Sequence, residues 1–481
     1  MEPRHHTRRS FLRSIGVAAA AAGVPRWARA ADAATAPKPN IVYILADDMG
    51  YGDLGCYGQK TLTTPHLDRM AAEGMRFTQH YAGSTVCAPS RCVLMTGLHT
   101  GHARIRGNNR ALLRDDDATV AKVLKKAGYR TGCFGKWGVG HPPPDNDPAR
   151  CGFDTFYGYI NMWHAHNFYP SFIIRNGKRE RLRNVQMKPF ANRTDGAGVA
   201  IEKLDYVPDL IHKEALAFID RNGTRPFFLY YALNMPHANN EGGRHGRGME
   251  VPDHGEYASA DWPVPEKGFA SMIRRIDNYV GEVIARLKAA GLEDNTLVIF
   301  SSDNGPHQEG GHRMERFDSN GRLRGMKRDL YEGGVRVPMI ARWPGRIGAG
   351  AVSGHVSAFQ DVMPTLAELA GAKCPKGDGI SMLPTLLGRP GQQKAHKHLY
   401  WEFHERGGRQ AVLLGKWKGV RLNTARKPDG PIELYDITRD ISERTNQAAA
   451  HRAVVAEIAA IMKAEHVPLR PNRVPKRKSR R

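Results

Sequence analysis

Along the chain, short apolar runs rich in β-branched and aromatic residues alternate with stretches whose apolar positions recur at helical spacing. Residues 40–46 are almost continuously apolar, as expected of a parallel strand buried on both faces. Residues 226–233 and 296–300 repeat that signature, and 129–134 carries a weaker version. Helical patterns cover 118–127, 210–220 and 270–289. The alternation predicts an α/β domain, a mostly parallel sheet with helices on both faces. Beyond residue 372 the texture changes. A Gly- and Pro-rich loop leads to strand patterns around 398–401, 411–414 and 417–422, and then to a helix over 448–465. This predicts a small antiparallel sheet plus a C-terminal helix.

A chain of 481 residues with 41% hydrophobic content can bury a large core. No run reaches the roughly 18 apolar residues of a membrane-spanning helix. The N-terminus reads as an export address. Arg8-Arg9-Ser10-Phe11-Leu12-Arg13 precedes an apolar segment from Ile15 to Val24, and Ala28-Arg29-Ala30 offers small residues for cleavage. That order matches a twin-arginine (Tat) signal, so residues 1–30 are set apart from the fold. It implies a periplasmic or extracellular location, with the Tat translocon as a partner. The formal net charge is +23, and residues 470–481 alone hold seven Lys or Arg and no acid. A basic tail over 467–481 suits anionic polysaccharide or lipid headgroups, and equally a solvated arm without a partner. No nucleic-acid module accompanies it, so nucleic acid ranks last. Six cysteines without a CxxC pair argue against zinc and thioredoxin-like chemistry and are too sparse for a disulfide framework, leaving room for one or two disulfides.

Each strong strand pattern ends in polar residues: Asp47-Asp48 after 40–46, Asn234 and His237 after 226–233, Asp303-Asn304 after 296–300. In open parallel sheets, ligands bind beyond the carboxyl ends of the strands, so these groups are placed to converge. Three carboxylates and an amide oxygen form a hard donor set, suited to Ca²⁺ or Mg²⁺. The most specific signal is Cys87-Ala88-Pro89-Ser90-Arg91 with Thr96-Gly97 beyond it. With Gly135-Lys136-Trp137, Pro236-His237, the Lys327 loop (Leu323-Arg324-Gly325-Met326-Lys327), Tyr331-Glu332-Gly333-Gly334-Val335-Arg336 and Glu433-Leu434-Tyr435-Asp436, it resembles the type I, formylglycine-dependent sulfatase family over residues 38 to 465.

The resemblance implies an alkaline-phosphatase-like sandwich. Its large, mixed, mostly parallel sheet would lie in a catalytic domain (38–371), and a C-terminal subdomain (372–466) would hold the small antiparallel sheet and helix. It implies an enzyme that hydrolyses sulfate monoesters, of sulfated carbohydrates given the basic surface. Cys87 would be oxidised to Cα-formylglycine by a formylglycine-generating enzyme. Asp47, Asp48, Asp303, Asn304 and residue 87 would hold one Ca²⁺, with Mg²⁺ the other option. Arg91 would anchor the modified side chain. Lys136 and Lys327 would bind sulfate oxygens, and His237 or Lys327 would protonate the leaving oxygen. One departure stands out: many members have a His where this chain has Gly138. His166 is the nominated replacement and substrate contact, ahead of His141 and His164. His312, Glu402, His404 and Gln410 are weighed as cleft residues. Two other functions fit parts of the pattern: a phosphodiesterase or phosphonate hydrolase of the same superfamily, and a non-catalytic exported binder of sulfated polysaccharide. Relative rates on aryl sulfate and aryl phosphate discriminate the first, and the chemical state of Cys87 the second.

Overall fold

The computed structural model describes residues 37–108, 112–140, 147–246 and 248–469. The Tat-like segment, His141 and most of the basic tail lie outside the described residues. The strands in chain order are β1 (Asn40–Asp47), β2 (Met75–Tyr81), β3 (Arg130–Lys136), β4 (Thr155–Tyr159), β5 (Phe172–Arg175) and β6 (Lys178–Arg181). A ribbon of β7 (Val185–Gln186) and β8 (Ala200–Glu202) precedes β9 (Phe227–Pro236), β10 (Thr296–Ser302), β11 (Arg336–Arg342), β12 (Ala351–Ser353) and β13 (Ser357–Ala358). All but the ribbon belong to one 11-stranded sheet, ordered β12-β2-β11-β10-β1-β9-β3-β4-β5-β6, with β13 beside β2. The centre, from β10 through β1, β9 and β3 to β4, is parallel. Beyond it, β11 and β2 on one side and β5 and β6 on the other run antiparallel to their inner neighbours.

The burial of β1 explains its sequence. Ile41, Tyr43 and Leu45 join one core cluster, while Val42, Ile44 and Ala46 join another on the opposite face. A strand covered on both sides must be apolar at every position, which erases the alternation of a half-exposed strand. The first face is covered by helices Cys87–Thr96, Val120–Lys126 and Val362–Leu369, the second by Val207–Asn222 and Val264–Ala289. The last is amphipathic: Met272, Ile273, Ile276, Val280, Val283 and Leu287 recur at helical spacing and are buried.

Some strands escaped the apolar pattern. In β2, Arg76, Thr78 and Gln79 are only half-buried, and β11 buries Arg336 and Arg342 at its two ends. Those charges are tolerated because Arg336 pairs with Glu332 and Arg342 with Glu73 and Glu293. The six cysteines are all free, so the room left for disulfides is not used.

The C-terminal sheet, β14 (Leu399–Phe403), β15 (Arg409–Leu414), β16 (Trp417–Leu422) and β17 (Ile432–Asp436), is antiparallel throughout. One face packs Leu399, Trp401, Phe403, Ala411 and Val420 against Tyr81, Val86, Leu330 and Val335 of the larger part. The other face carries Tyr400, Val412 and Leu434 and receives Ile458 and Met462 of helix Arg452–Glu465. That helix begins four residues later than its apolar pattern suggests, because Asn446 ties the preceding loop to Leu434 and Ala448 through backbone N–H groups.

Candidate active site

Four neighbouring parallel strands deliver the predicted residues to one place. Asp47 ends β1 and Lys136 ends β3. His237 directly follows β9, and Asp303 and Asn304 follow β10. Consecutive strand residues ordinarily point to opposite faces. Here the β1–β9 register shifts between Leu45 and Asp47, and Asp48 adopts a left-handed backbone (φ 69°). The two carboxylates therefore share a cluster in which oxygens of Asp47 and Asp48 and a ring nitrogen of His237 lie within 4.8 Å of one another.

Helix Cys87–Thr96 supplies the other side. Cys87 is its first residue and Pro89 sits in the first turn, where a missing N–H breaks no intrahelical bond. Arg91, one turn on, shares the face of Cys87. Its Nε lies 2.9 Å and its Nη2 2.8 Å from Asp303 Oδ2, and Nη1 donates to Lys136 O at 2.6 Å. The spacing in Cys-x-Pro-x-Arg is thus a helix-start geometry that points a sulfur and a guanidinium into the same cluster. Gly97 closes the helix with a left-handed cap (φ 68°).

The charges interlock. Lys136 Nζ donates to Asp47 Oδ2 at 2.6 Å, and Lys327 Nζ to Asp48 Oδ2 at 2.7 Å. Lys327 also reaches Glu309 at 2.9 Å and His237 Nε2 at 3.0 Å, while Arg328 holds the second Glu309 oxygen at 2.6 Å. His237 Nδ1 donates to Ala238 O at 2.6 Å, which leaves Nε2 as the acceptor facing Lys327. Burial and the adjacent Lys327 hold the His237 pKa well below its ordinary value, so the ring is neutral. Burial would raise the acidic pKa of Asp47 and Asp48, but Lys136 acting on the first and Lys327 on the second outweigh it, and both are lowered. Asp303 is pushed up to about 7 by burial and by Asp47, against the pull of Arg91. Burial also pushes the Cys87 thiol up, so a free thiol there is a poor nucleophile.

The donor set fits a hard divalent cation. Asp47 Oδ1 and Asn304 Oδ1 are buried without a hydrogen-bond partner, Asp47 Oδ1 having only Arg91 Nη2 at 3.6 Å; other buried oxygens, such as Asp53 Oδ1 and Glu443 Oε1, are also unpartnered, but these two lie together in the cluster. Asn304 turns its amide nitrogen to Asp48 Oδ1 at 2.7 Å and leaves its oxygen unused. With Asp48 and Asp303 these atoms make an all-oxygen set of the kind that binds Ca²⁺ or Mg²⁺.

Other predicted residues sit elsewhere. His166 stacks on His237 (4.6 Å between ring centroids, 13° between planes), with Nδ1 3.4 Å from Glu241. It therefore lines the His237 side of the cluster. The side chain hydrogen-bonded to Cys87 Sγ among the described residues is Asn108, at 3.5 Å. A Cβ at Gly138 (φ 77°) would lie 3.0 Å from Arg91 Cδ and 3.7 Å from Lys136 Cε, so that position does border the site, with no side chain to act there. His164 faces Phe172 O at 2.9 Å and is structural. His312 is not a cleft residue either: it bonds Glu266 at 2.6 Å and lies flat on Phe269. Glu402 is buried in an ion pair with Arg106, and together with His404 and Gln410 it lines a cavity in the C-terminal part. Glu309, Arg328, Asn108 and His307, whose ring nitrogen lies within 4.8 Å of oxygens of Asp48 and Glu309, were missed. Each lies in a loop without periodicity, and only the fold brings them to residues whose motifs are readable.

Carboxylates, two buried lysines and an arginine, gathered beyond the carboxyl ends of parallel strands, define a hydrolase site for an anionic ester. A family model described as Sulfatase matches residues 39–372, and one described as N-sulphoglucosamine sulphohydrolase, C-terminal, matches 325–470. N-acetylgalactosamine-6-sulfatase of Mus musculus is 35% identical over 413 residues, covering 80% of this chain and 72% of that protein. Arylsulfatase A of Homo sapiens is 33% identical over 494 residues, covering 92% and 90%. Among solved structures, Ps i-CgsB in complex with k-i-k-neocarrahexaose superposes with a TM-score of 0.75 at 28% identity, covering 90% of this chain and 94% of that one. The chain belongs to the sulfatase family, and its activity is that of a sulfuric ester hydrolase. The fold is the alkaline-phosphatase-like α/β arrangement expected above. Sulfatases generally use a formylglycine and a divalent metal. Among the described residues no helix is long and apolar enough to cross a membrane.

Proposed function

We propose that the protein removes sulfate from sulfated carbohydrate, using Cys87 in its formylglycine form and one Ca²⁺ held by Asp47, Asp48, Asp303, Asn304 and residue 87. The observation that carries this is the orphaned pair Asp47 Oδ1 and Asn304 Oδ1 beside Cys87, Lys136 and Lys327. When bound, the metal and the aldehyde supply Lewis acidity and a nucleophile that can release sulfate by restoring its carbonyl. The chain's own side chains do the rest. Arg91 anchors residue 87 and balances Asp303. Lys136 and Lys327 exchange their carboxylate partners for sulfate oxygens and neutralise charge as it develops. Lys327 carries the proton nearest the leaving-group side, and neutral His237, backed by His166, accepts from it and orients it. Glu309 and Arg328 fix the Lys327 ammonium.

Sulfated carbohydrate is supported by the basic chain and by relatives named for sulfated sugars. Export through the Tat pathway, to the periplasm or beyond, is supported by the Arg8-Arg9 segment. A formylglycine-generating enzyme is then a required partner, and the catalytic and C-terminal parts divide near residue 372. Chelation followed by metal return tests the metal assignment. Hydrolysis of an aryl sulfate should be lost with chelator and restored by Ca²⁺, and undiminished turnover after complete chelation sinks it.

A further inference from the structure

The C-terminal part carries a second feature that the chemistry above does not use. A cavity of about 400 Å³ opens between the C-terminal sheet and its helix, lined among others by Glu402, Arg409, Arg421, Asp429, Lys463 and His466; both Glu402 oxygens are already taken by Arg106, His404, Tyr400 and His466. Its volume is within the roughly 300–1,000 Å³ of small-ligand pockets. Arg421 is 7% exposed, yet it makes no ion pair among the described residues. Its guanidinium donates only to neutral oxygens, Gly430 O at 3.0 Å, Pro428 O at 2.9 Å and Gln410 Oε1 at 3.4 Å. Buried charges are usually paired with an opposite charge, and this guanidinium has only neutral acceptors. Asp429 lines the same cavity without coming into ion-pair contact. Lys463 adds a second cation at the mouth, with no carboxylate partner among the described residues. Met462, Pro428 and Ala425 give the cavity an apolar wall, against which the face of a sugar ring can pack.

Two chains of contacts connect this cavity to the site. Arg409 on its wall donates to Arg328 O at 2.9 Å, and Arg328 braces Glu309 and hence Lys327. Glu405, in the loop that carries His404, accepts from the backbone of Asn108, the residue against Cys87. We infer that the cavity is a subsite for a second anionic group, sulfate or carboxylate, on a sugar chain whose reacting sulfate sits at residue 87. The inference rests on the sulfated-carbohydrate reading and specifies it: the preferred substrate is an oligosaccharide with more than one anionic group.

The test measures a chondroitin 6-sulfate tetrasaccharide as inhibitor of aryl sulfate hydrolysis, with inorganic sulfate as control. Wild type, Arg421→Gln and Lys463→Gln are compared. The ratio of the tetrasaccharide inhibition constant to the aryl sulfate KM should rise about tenfold in Arg421→Gln and severalfold in Lys463→Gln, whose exposed side chain makes misfolding no explanation. The inorganic sulfate constant should stay put. An unchanged ratio in both variants, or a tetrasaccharide that fails to inhibit wild type, overturns the subsite. Absence of aryl sulfate turnover by wild type is a different failure, that of the active-site reading. Calorimetric titration of the tetrasaccharide into wild type and Arg421→Gln then still decides the subsite.

Discussion

Two buried acidic centres in this molecule answer the problem of hidden charge in opposite ways. Glu402 has every lone-pair direction used: Oε1 receives Arg106 at 2.5 Å and His404 at 2.7 Å, and Oε2 receives Tyr400 at 2.6 Å and His466 at 2.8 Å. The Asp47–Asp48–Asp303–Asn304 centre is as deeply buried but incomplete. It leaves Asp47 Oδ1 and Asn304 Oδ1 without donors, and its cations, Lys136 and Lys327, sit where an anionic substrate would displace them. A closed network holds the fold, and an open one waits for a ligand. Composition does not separate the two, since both mix carboxylates with cations; the count of satisfied atoms does.

The largest expected effects lie at the open centre. Cys87→Ala should lose at least about 10³-fold in kcat on an aryl sulfate, and Cys87→Ser should accumulate as a sulfated enzyme visible by mass spectrometry. Lys327→Ala should lose about 10²- to 10³-fold, with the larger change in kcat, because the ammonium meets charge that develops in the transition state. The melting temperature of Cys87→Ala should hold, since the Cys87 side chain completes no network the fold needs. A strong loss of stability in that variant would erase the contrast with Glu402.

At the closed centre the order reverses. Glu402→Ala should destabilise the protein by about 3–5 kcal/mol in denaturant titration while folded molecules keep their aryl sulfate kcat, because it strands the buried Arg106. Burial would raise the Glu402 pKa, but His404 and Arg106 outweigh it and hold it at about 2, below its ordinary value. The stabilisation is therefore complete above the unfolded pKa near 4.5 and is lost as pH falls towards 2. Glu402→Gln should flatten that acid limb.

The smallest effect concerns His80, which belongs to neither centre and whose pKa burial lowers to about 3. Below about pH 6.5 the unfolded chain takes up a proton that the folded chain refuses, so stability drops as pH falls. His80→Gln should reduce the slope of unfolding free energy against pH by about 1.4 kcal/mol per unit between pH 6 and 4.

Much of this was readable beforehand where the physics is local or strongly patterned. The central strands announce themselves because burial on both faces forces unbroken apolar runs, as in β1 and β9. The Cys87 motif is readable because a helix start fixes the spacing of Cys87, Pro89 and Arg91. What stayed hidden depends on contacts between distant loops. Glu309 and Asn108 have no local signature and matter only through Lys327 and Cys87. Strand β11 carries charges, Arg336 and Arg342, whose partners Glu332 and Glu73 are visible only in three dimensions. His166 was assigned to the gap at Gly138 by chemistry alone, and its stacking on His237 is visible only in the fold.

The most direct test of the central claim correlates the state of residue 87 with activity. Protein is prepared with graded amounts of a formylglycine-generating enzyme, the peptide containing residue 87 is quantified by mass spectrometry, and kcat on an aryl sulfate is measured on the same samples with Ca²⁺ present. Activity should rise in proportion to the aldehyde fraction and extrapolate to zero for pure thiol. Full turnover by protein whose Cys87 is entirely unmodified would contradict the account.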